Sequence, residues 1–188
     1  MKKIVAVKWK LLAAVFIFAA LTAVCLRSGG ALAAEKRSRN ELARTGYAAR
    51  KPADNDPSKA NHAAELLNLI NAARRKSGAS DLKLDEAMGR AANRRASEIK
   101  TKYSHERPDG RSFHTVFAEF GFPMRAGAEN IGWRSGPSST DLEAFNKAFM
   151  ESPGHRKNML NPEYSSVGLG FSNDGDKFYV AELFADGS

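Results

Sequence analysis

The sequence predicts a layered α+β domain, because helical and strand-like patterns occupy different parts of its 188 residues. Between residues 58 and 153, apolar residues recur in four segments at the spacing of amphipathic helices. The last thirty residues instead contain two strand-like runs separated by a turn, which is typical of an antiparallel hairpin. The 128 residues from 61 to 188 are enough to build one hydrophobic core.

The first two helices are predicted by their apolar stripes. Order is expected to begin near Ser58, and Gly78 ends the first helix. The second helix follows Leu84. The apolar positions are Leu66, Leu67, Leu69, Ile70 and Ala73 in the first helix, and Met88, Ala92, Ala96 and Ile99 in the second.

A third, short helix is predicted to end just before Gly121. A fourth begins at residues 140–143, which form a capping-box pattern, and ends before Pro153 because proline has no amide hydrogen to donate. The inward residues are Phe113, Val116, Phe117 and Phe120 in the third helix, and Leu142, Phe145 and Phe149 in the fourth.

The strands are predicted from their apolar runs and from the turn between them. Residues 167–171 and 177–184 form the hairpin, and the Asn-Asp-Gly-Asp sequence at 173–176 suits its turn. A further short strand is expected at 131–133.

The N-terminus has the pattern of a secretory signal peptide over residues 1–33. Four lysines precede an apolar run at 11–26, and Ala31 and Ala33 form an A-x-A site, so we expect cleavage after Ala33. A retained anchor helix is the alternative. Cleavage would remove Cys25, the only cysteine, so the mature domain must fold without disulfides in a secreted or periplasmic location.

The net charge of +8 does not indicate a nucleic-acid-binding protein, because of where the charge lies. Residues 61–188 contain seventeen basic and seventeen acidic residues, and the excess positive charge belongs to the predicted signal and to residues 34–60. A nucleic-acid-binding fold needs a basic surface of its own, so nucleic acid is excluded as a partner. Residues 34–60 have few large apolar residues and are predicted to be a flexible basic linker.

Two of the four histidines stand at the boundaries of predicted elements, where functional residues often collect. His155 falls third in a helix that Pro153 begins, and the positive end of a helix favours a neutral imidazole suited to metal binding or to general-base catalysis. His105 follows the second helix. Glu129, beside an apolar segment, needs a partner, and the alternative to a functional role is a bond to a backbone amide or an arginine. Glu151 stands four residues before His155.

Four motifs then occur in the same order as in the CAP superfamily, also called SCP-like, of cysteine-rich secretory proteins, antigen 5 and plant pathogenesis-related proteins. They lie at 104–112 (SHERPDGRS), 128–131 (AENI), 152–160 (SPGHRKNML) and 179–184 (YVAELF). The chain resembles the bacterial, disulfide-free branch of this family from residue 61 to about residue 185.

This resemblance implies an α-β-α sandwich with an antiparallel central sheet and a cavity lined by two histidines and two glutamates. The cavity residues would be His105, Glu129, Glu151 and His155, of which Glu151 is the least secure match. A divalent metal such as zinc would be held by His105, His155 and Glu129.

Three departures from the family pattern are interpreted as packing variants. Ala128 replaces a glycine, Phe149 a tryptophan and Glu182 a glutamine.

The resemblance does not fix one activity. The first interpretation is an exported binding or interaction module with a metal-capable His/Glu cavity. The alternatives are a metal-assisted hydrolase of peptide or cell-wall bonds, and a lipid or sterol carrier. The expected partner is an envelope or extracellular ligand, including a lipid or a peptide, and a membrane is contacted only through an uncleaved signal.

Overall fold

The computed structural model describes residues 56–123, 126–136 and 139–186, so the predicted signal peptide and nearly all of the predicted linker lie outside the described residues. All of the described residues belong to one unit, Ala53–Ser188. Their helices and strands, in chain order, are α1 (Pro57–Lys76), β1 (Lys83–Leu84), α2 (Glu86–Thr101), α3 (Thr115–Glu119), β2 (Gly127–Ser135), α4 (Leu142–Glu151), α5 (Pro153–Leu160), β3 (Ser166–Asn173) and β4 (Lys177–Ala185).

The strands of this part of the chain form one sheet in the order β1–β3–β4–β2. β2 and β3 both pair antiparallel with β4, whereas β1 pairs parallel with β3. The predicted α+β fold is therefore confirmed, but the expectation of a purely antiparallel sheet is wrong. The sequence gives no sign of β1, because its two residues, Lys83 and Leu84, are both exposed and show no alternation.

Helix α2 packs very closely on one face of the sheet. A Cβ atom added to Gly170 of β3 would lie 2.0 Å from the backbone carbonyl carbon of Ala92, and Gly168 is equally confined. Only glycine therefore admits the helix at these two positions. Helices α1, α4 and α5 cover the opposite face, where Gly132 lies beneath the ring of Phe149. The layers make the predicted α-β-α sandwich.

The apolar core is divided by the sheet. Alternation along β4 sends Val180 and Phe184 into a larger cluster beneath α1, α4 and α5, and Ala181 and Leu183 into smaller clusters beneath α2. Glu182 shares the face of Val180 and Phe184, so its carboxyl group enters the larger core. This core also contains Leu66, Ile70, Leu142, Phe145, Phe149, Met159, Val167, Leu169, Phe171 and Phe178.

Three helices begin at aspartate N-caps close to the predicted starts. Asp56 accepts a hydrogen bond from the backbone N–H of the second residue of α1, and Asp85 and Asp141 do the same for the third residues of α2 and α4. Residues 57–60, assigned to the linker from the sequence, are thus the first turn of α1. None of the helices within the described ranges has both the length and the apolar character needed to cross a bilayer.

Strand β2 positions the candidate site. It runs for nine residues, well beyond the predicted 131–133, and lies at an edge of the sheet beside β4. Because side chains alternate along a strand, Glu129 points toward α2 and Asn130 points toward α5. The edge strand β2 therefore contributes polar side chains to both faces of the sheet.

Candidate functional site

Glu129 is a buried carboxylate that joins a surface histidine to a buried arginine. Its Oε1 lies 2.8 Å from Nδ1 of His105, a side chain that is 55% exposed. Arg95 donates from Nε to Oε2 at 2.6 Å and from Nη2 to Oε1 at 3.2 Å. A carboxylate can only accept, so Nδ1 of His105 carries the hydrogen and Nε2 of the neutral ring keeps its lone pair. The arginine considered as an alternative partner of Glu129 is therefore present, and the carboxylate contacts His105 as well.

Arg95 also fixes the backbone that leads to His105. It lies on the apolar stripe of α2, one turn after Ala92 and one turn before Ile99, and is fully buried. Its Nη2 donates to the carbonyl oxygen of Ser104 at 2.8 Å. The same guanidinium group therefore holds both the carboxylate partner of His105 and the peptide unit that precedes it.

A second buried arginine, Arg107, fixes the segment after His105. It donates to Glu98 from Nη2 at 2.7 Å and to Glu119 from Nη1 at 2.7 Å. Burial raises the pKa of Glu98, but hydrogen bonds from Arg107, Arg95 and Arg94 outweigh this effect and lower the pKa to about 2. Glu98 is therefore ionised at neutral pH, and an ion-pair network supports His105.

His155 lies on α5, on the other side of β2. Pro153 is the first residue of this helix and His155 the third, as predicted, although the side chain of Ser152 forms no capping hydrogen bond. The ring of Phe149 meets the imidazole edge-on with centroids 4.9 Å apart. Burial, and secondarily the charge of nearby His105, lower the pKa of His155. The expectation of a neutral imidazole agrees with this direction, but its causes are burial and His105.

The side-chain amide of Asn130 connects β2 to α5. Its Nδ2 donates to Oε2 of Glu182 at 2.9 Å and to the backbone carbonyl of His155 at 3.2 Å. Its Oδ1 accepts a hydrogen bond from Nδ2 of Asn158 at 2.9 Å. Both amide hydrogens are thus in use, and the side chain has one orientation that satisfies all three contacts.

Glu182 is a fully buried carboxyl group without a cationic partner among the described residues. Burial raises its pKa to about 8, with the Asn130 hydrogen bond opposing the shift in part. Its Oε1 has no hydrogen-bond partner in the described part of the chain. The residue interpreted from sequence as a packing variant is therefore an ionisable group beside the site.

Glu151 stands apart from the other predicted cavity residues. Its side chain is 68% exposed and lies 3.9 Å from the ammonium group of Lys147, one turn earlier on α4. No hydrogen bond or ion pair among the described residues joins it to His105, Glu129 or His155. Its membership of the cavity stays a prediction from the family resemblance.

The three predicted metal ligands, His105, Glu129 and His155, differ in how available their side chains are to a cation. No group of three or more His, Cys, Asp or Glu side chains in the described ranges is arranged to hold a metal. Arg95 and His105 occupy both oxygens of Glu129, which suits a carboxylate that orients a histidine ligand more than one that binds the ion itself. The residues that fit as ligands are the two histidines.

An open groove of about 460 Å³ lies between α1, α4 and α5. Its walls are mainly aliphatic, and Lys76 and Arg156 contribute positive charge. The aliphatic residues are Leu69, Ala72, Ala73, Met150 and Leu160. This groove is separate from the imidazole of His155.

Sequence reasoning missed Arg95 and Asn130, and it interpreted Glu182 only as a packing variant. For Arg95 a signal was available, because it occupies an inward position on the α2 stripe, where a charged residue requires partners. For Asn130 and Glu182 no local signal existed, since they are cross-strand neighbours separated by 52 positions in sequence.

The fold and the ordered motifs define a class of small sandwich domains with a histidine–glutamate site at a sheet edge. The chain belongs to the CAP family, described as the cysteine-rich secretory protein family, whose model matches residues 67–184. The predicted family resemblance is confirmed.

The relatives are mainly bacterial. The uncharacterized protein YkwD of Bacillus subtilis (strain 168) is 32% identical over 113 residues, which cover 59% of this chain and 42% of YkwD, so the chain matches less than half of that relative. An extracellular protein containing an SCP domain from Bacillus anthracis superposes with a TM-score of 0.58 at 24% identity, over 66% of this chain and 40% of that one. An outer surface protein of Borrelia burgdorferi gives 0.60 at 15% identity, over 68% and 94%. These structures show the fold.

Proposed function

We propose that the chain is an exported CAP-domain binding module in which His105 and His155 bind a divalent cation such as zinc. The observation that carries this proposal is the chain of contacts from Arg95 through Glu129 to His105. It fixes the tautomer of His105 so that Nε2 offers a lone pair at the surface. Burial keeps His155 neutral, and its ring is then available as a second ligand.

Export is supported by the N-terminal sequence. Residues 1–33 have the basic, apolar and small-residue regions of a signal peptide. Two of the structural relatives are an extracellular protein and an outer surface protein, which agrees with this location.

The cation would supply Lewis acidity and an anchor for an acidic or carbonyl-bearing ligand. Two histidines leave several coordination positions for water or for that ligand, so we expect binding weaker than at a structural zinc site. Protons compete for both imidazole lone pairs, so binding weakens as the pH falls through the histidine range.

Calorimetric titration of the full chain with zinc at pH 7.5 and pH 5.5 tests the proposal. His105→Ala and His155→Ala should each lower the affinity at pH 7.5 by at least tenfold with an unchanged far-UV spectrum. His114→Ala is the matched control, because His114 is exposed and bonds Ser112 and the Gly127 carbonyl. Equal affinity in all four proteins, or no binding by the wild type, would contradict the proposal.

Hydrolysis is a second proposal for the same two histidines. The specific observation in its favour is the Glu129–His105 pair, in which a buried carboxylate orients an exposed imidazole as it would a general base. Incubation with peptide and cell-wall fragments, with and without zinc, would show turnover in the wild type and a loss of at least a hundredfold in His105→Ala. Turnover that His105→Ala retains would refute this proposal.

Lipid carriage is a third proposal, and it rests on the groove between α1, α4 and α5. Its aliphatic walls suit an alkyl chain, and Lys76 and Arg156 suit an anionic head group. Displacement of a fluorescent fatty acid should weaken in Leu69→Asp and be unaffected by His105→Ala. No binding of the probe by the wild type would exclude this proposal.

A further inference from the structure

The side-chain amides of Asn130 and Asn158 connect α5 to β2. Asn130 contacts the first turn of α5 through the carbonyl oxygen of His155 at 3.2 Å, and Asn158, one turn later, donates to Asn130 at 2.9 Å. Asn158 also reaches the backbone carbonyl of Glu129 at 3.4 Å. The position of His155 relative to β2 therefore depends on the orientation of the Asn130 amide.

Glu182, on the neighbouring strand β4, also contributes to this orientation of the Asn130 amide. Its Oε2 accepts the second hydrogen of the Asn130 amide at 2.9 Å. If the amide turned over, its oxygen would face both Glu182 Oε2 and the His155 carbonyl, and its nitrogen would face Asn158 Nδ2. The hydrogen bonds with the His155 carbonyl and with Asn158 would then be lost, and the contact with Glu182 would remain only if the acid proton moved to Oε2.

The surroundings of Glu182 fit a neutral carboxylic acid. A carboxylate accepts about four hydrogen bonds, whereas one donor reaches Glu182 and Oε1 has no partner in the described part of the chain. Glu98 shows the opposite case, since three arginines donate to it.

We propose that Glu182 is a positioning residue. Its protonated carboxyl group fixes the orientation of the Asn130 amide and thereby the position of His155 relative to β2 and His105. The acid accepts through Oε2 and carries its proton on Oε1. Loss of this proton would leave a buried charge with one donor, and the surrounding core would have to rearrange or admit water to solvate it. The α5 turn is the element most directly attached to that change. This proposal does not depend on whether His105 and His155 bind a cation.

Charged groups on the elements packed over Glu182 do not stabilise its ionised form. On β2 the next charged residue on the same face is Arg134, four positions from Asn130; on β3 the facing residues are apolar.

On α5 the imidazole of His155 tends to be neutral, and Arg156 and Lys157 are exposed. On α1, Arg74 donates to the carbonyl oxygens of Ser80, Met159, Asn161 and Tyr164, and the ring of His62 contacts the rings of Phe171 and Phe178. On α4, Lys147 and Glu151 are exposed.

Glu182→Gln is the discriminating variant, because glutamine is isosteric with the neutral acid and cannot ionise. Ring resonances of His155 are followed by NMR between pH 5 and pH 10 in the metal-free full chain and assigned with His155→Ala. In the wild type they should show a second inflection near pH 8, in addition to the titration of the imidazole itself. In Glu182→Gln this inflection should be absent. Glu163→Gln, at an exposed position, is the control that should retain it.

Thermal unfolding gives a second readout with a defined sign. A carboxyl group whose pKa is higher in the folded than in the unfolded state stabilises the fold at low pH and loses that effect as the pH rises toward its folded value. From pH 5 to pH 8, the melting temperature of the wild type should fall relative to Glu182→Gln by about 5 °C or more. Above pH 8 to 9 the difference should become constant.

Two outcomes would overturn the proposal. One is a His155 inflection near pH 8 that persists in Glu182→Gln, which would assign it to another group. The other is a wild type that shows no such inflection, which would mean that the charge on Glu182 does not reach α5. Zinc affinity is not part of this test, so the binding proposal and this one can fail separately.

Discussion

Carboxyl groups are buried on both faces of the sheet, and their pKa values are shifted in opposite directions on the two faces. On the α2 face, Arg95 pairs with Glu129 and Glu98, and Arg107 adds a second cation to Glu98. On the α5 face, Glu182 meets only the amide of Asn130. The pKa of Glu98 is lowered to about 2, whereas that of Glu182 is raised to about 8.

The difference shows that burial alone does not decide the charge of a carboxyl group. Burial raises the pKa of both Glu98 and Glu182, and the guanidinium groups around Glu98 reverse that effect. The α2 face therefore supports His105 with fixed charges, and the α5 face supports His155 with neutral hydrogen bonds.

Removing Arg95, the cation that pairs with buried Glu129 on the α2 face, should have the largest effect on stability. Arg95→Ala leaves Glu129 buried with only His105 as a partner, so we expect a loss of about 3–5 kcal/mol in the free energy of unfolding. Urea denaturation at pH 7 measures it. Arg94→Ala is the control, since Arg94 is largely exposed, and it should cost at most about 0.5 kcal/mol. Similar costs for both would mean that the buried pairs do not stabilise the fold.

Acid should affect the charged face next. The folded pKa of Glu98, about 2, lies below its ordinary value of 4.5, so its contribution is present above that value and lost as the pH falls toward 2. Between pH 5 and pH 2 the wild type should lose about 2–3 kcal/mol more than Glu98→Gln. Urea denaturation of both proteins at several pH values provides the comparison. Parallel curves would show that Glu98 is not held ionised.

Breaking the neutral face should cost less. Asn130→Ala removes the hydrogen bonds to Glu182, His155 and Asn158 but strands no charge, because Glu182 is protonated at neutral pH. We expect a loss of about 2 kcal/mol in urea denaturation at pH 6. The cost should be greater at pH 9, where Glu182 ionises without its one donor. An equal cost at both pH values would argue against a protonated Glu182.

The smallest effect is expected at the exposed end of the charged face. His105→Ala removes one hydrogen bond from Glu129, which keeps Arg95, so unfolding should change by less than about 1 kcal/mol. Urea denaturation checks this value beside the zinc titration. A loss as large as that of Arg95→Ala would make His105 a structural member of the network.

Local patterns carried much of the fold prediction. The starts of α1 and α2 could be located from their apolar stripes, the start of α4 from its capping pattern, and the hairpin of β3 and β4 from the turn encoded in adjacent residues. The two-residue strand β1 could not be found, since its parallel partner lies more than eighty residues away. The same distance effect hid the environment of Glu182, which only the pairing of β2 with β4 creates.

The residues of the candidate site could be predicted from the sequence, but the ionisation states of the carboxyl groups around it could not. His105, Glu129 and His155 could be selected from their motifs. Which of the buried carboxyl groups is ionised depends on contacts that the fold creates: three arginines donate to Glu98, whereas only the Asn130 amide reaches Glu182 among the described residues.

A carbon-13 NMR titration of the glutamate side-chain carboxyl carbons tests the contrast between the two faces most directly. With Glu98→Gln and Glu182→Gln for assignment, the Glu182 carbon should shift from its protonated to its ionised position near pH 8, and the Glu98 carbon should stay ionised down to about pH 2. A Glu182 carbon that is already ionised at pH 6 would contradict the account, as would a Glu98 carbon that titrates near 4.5.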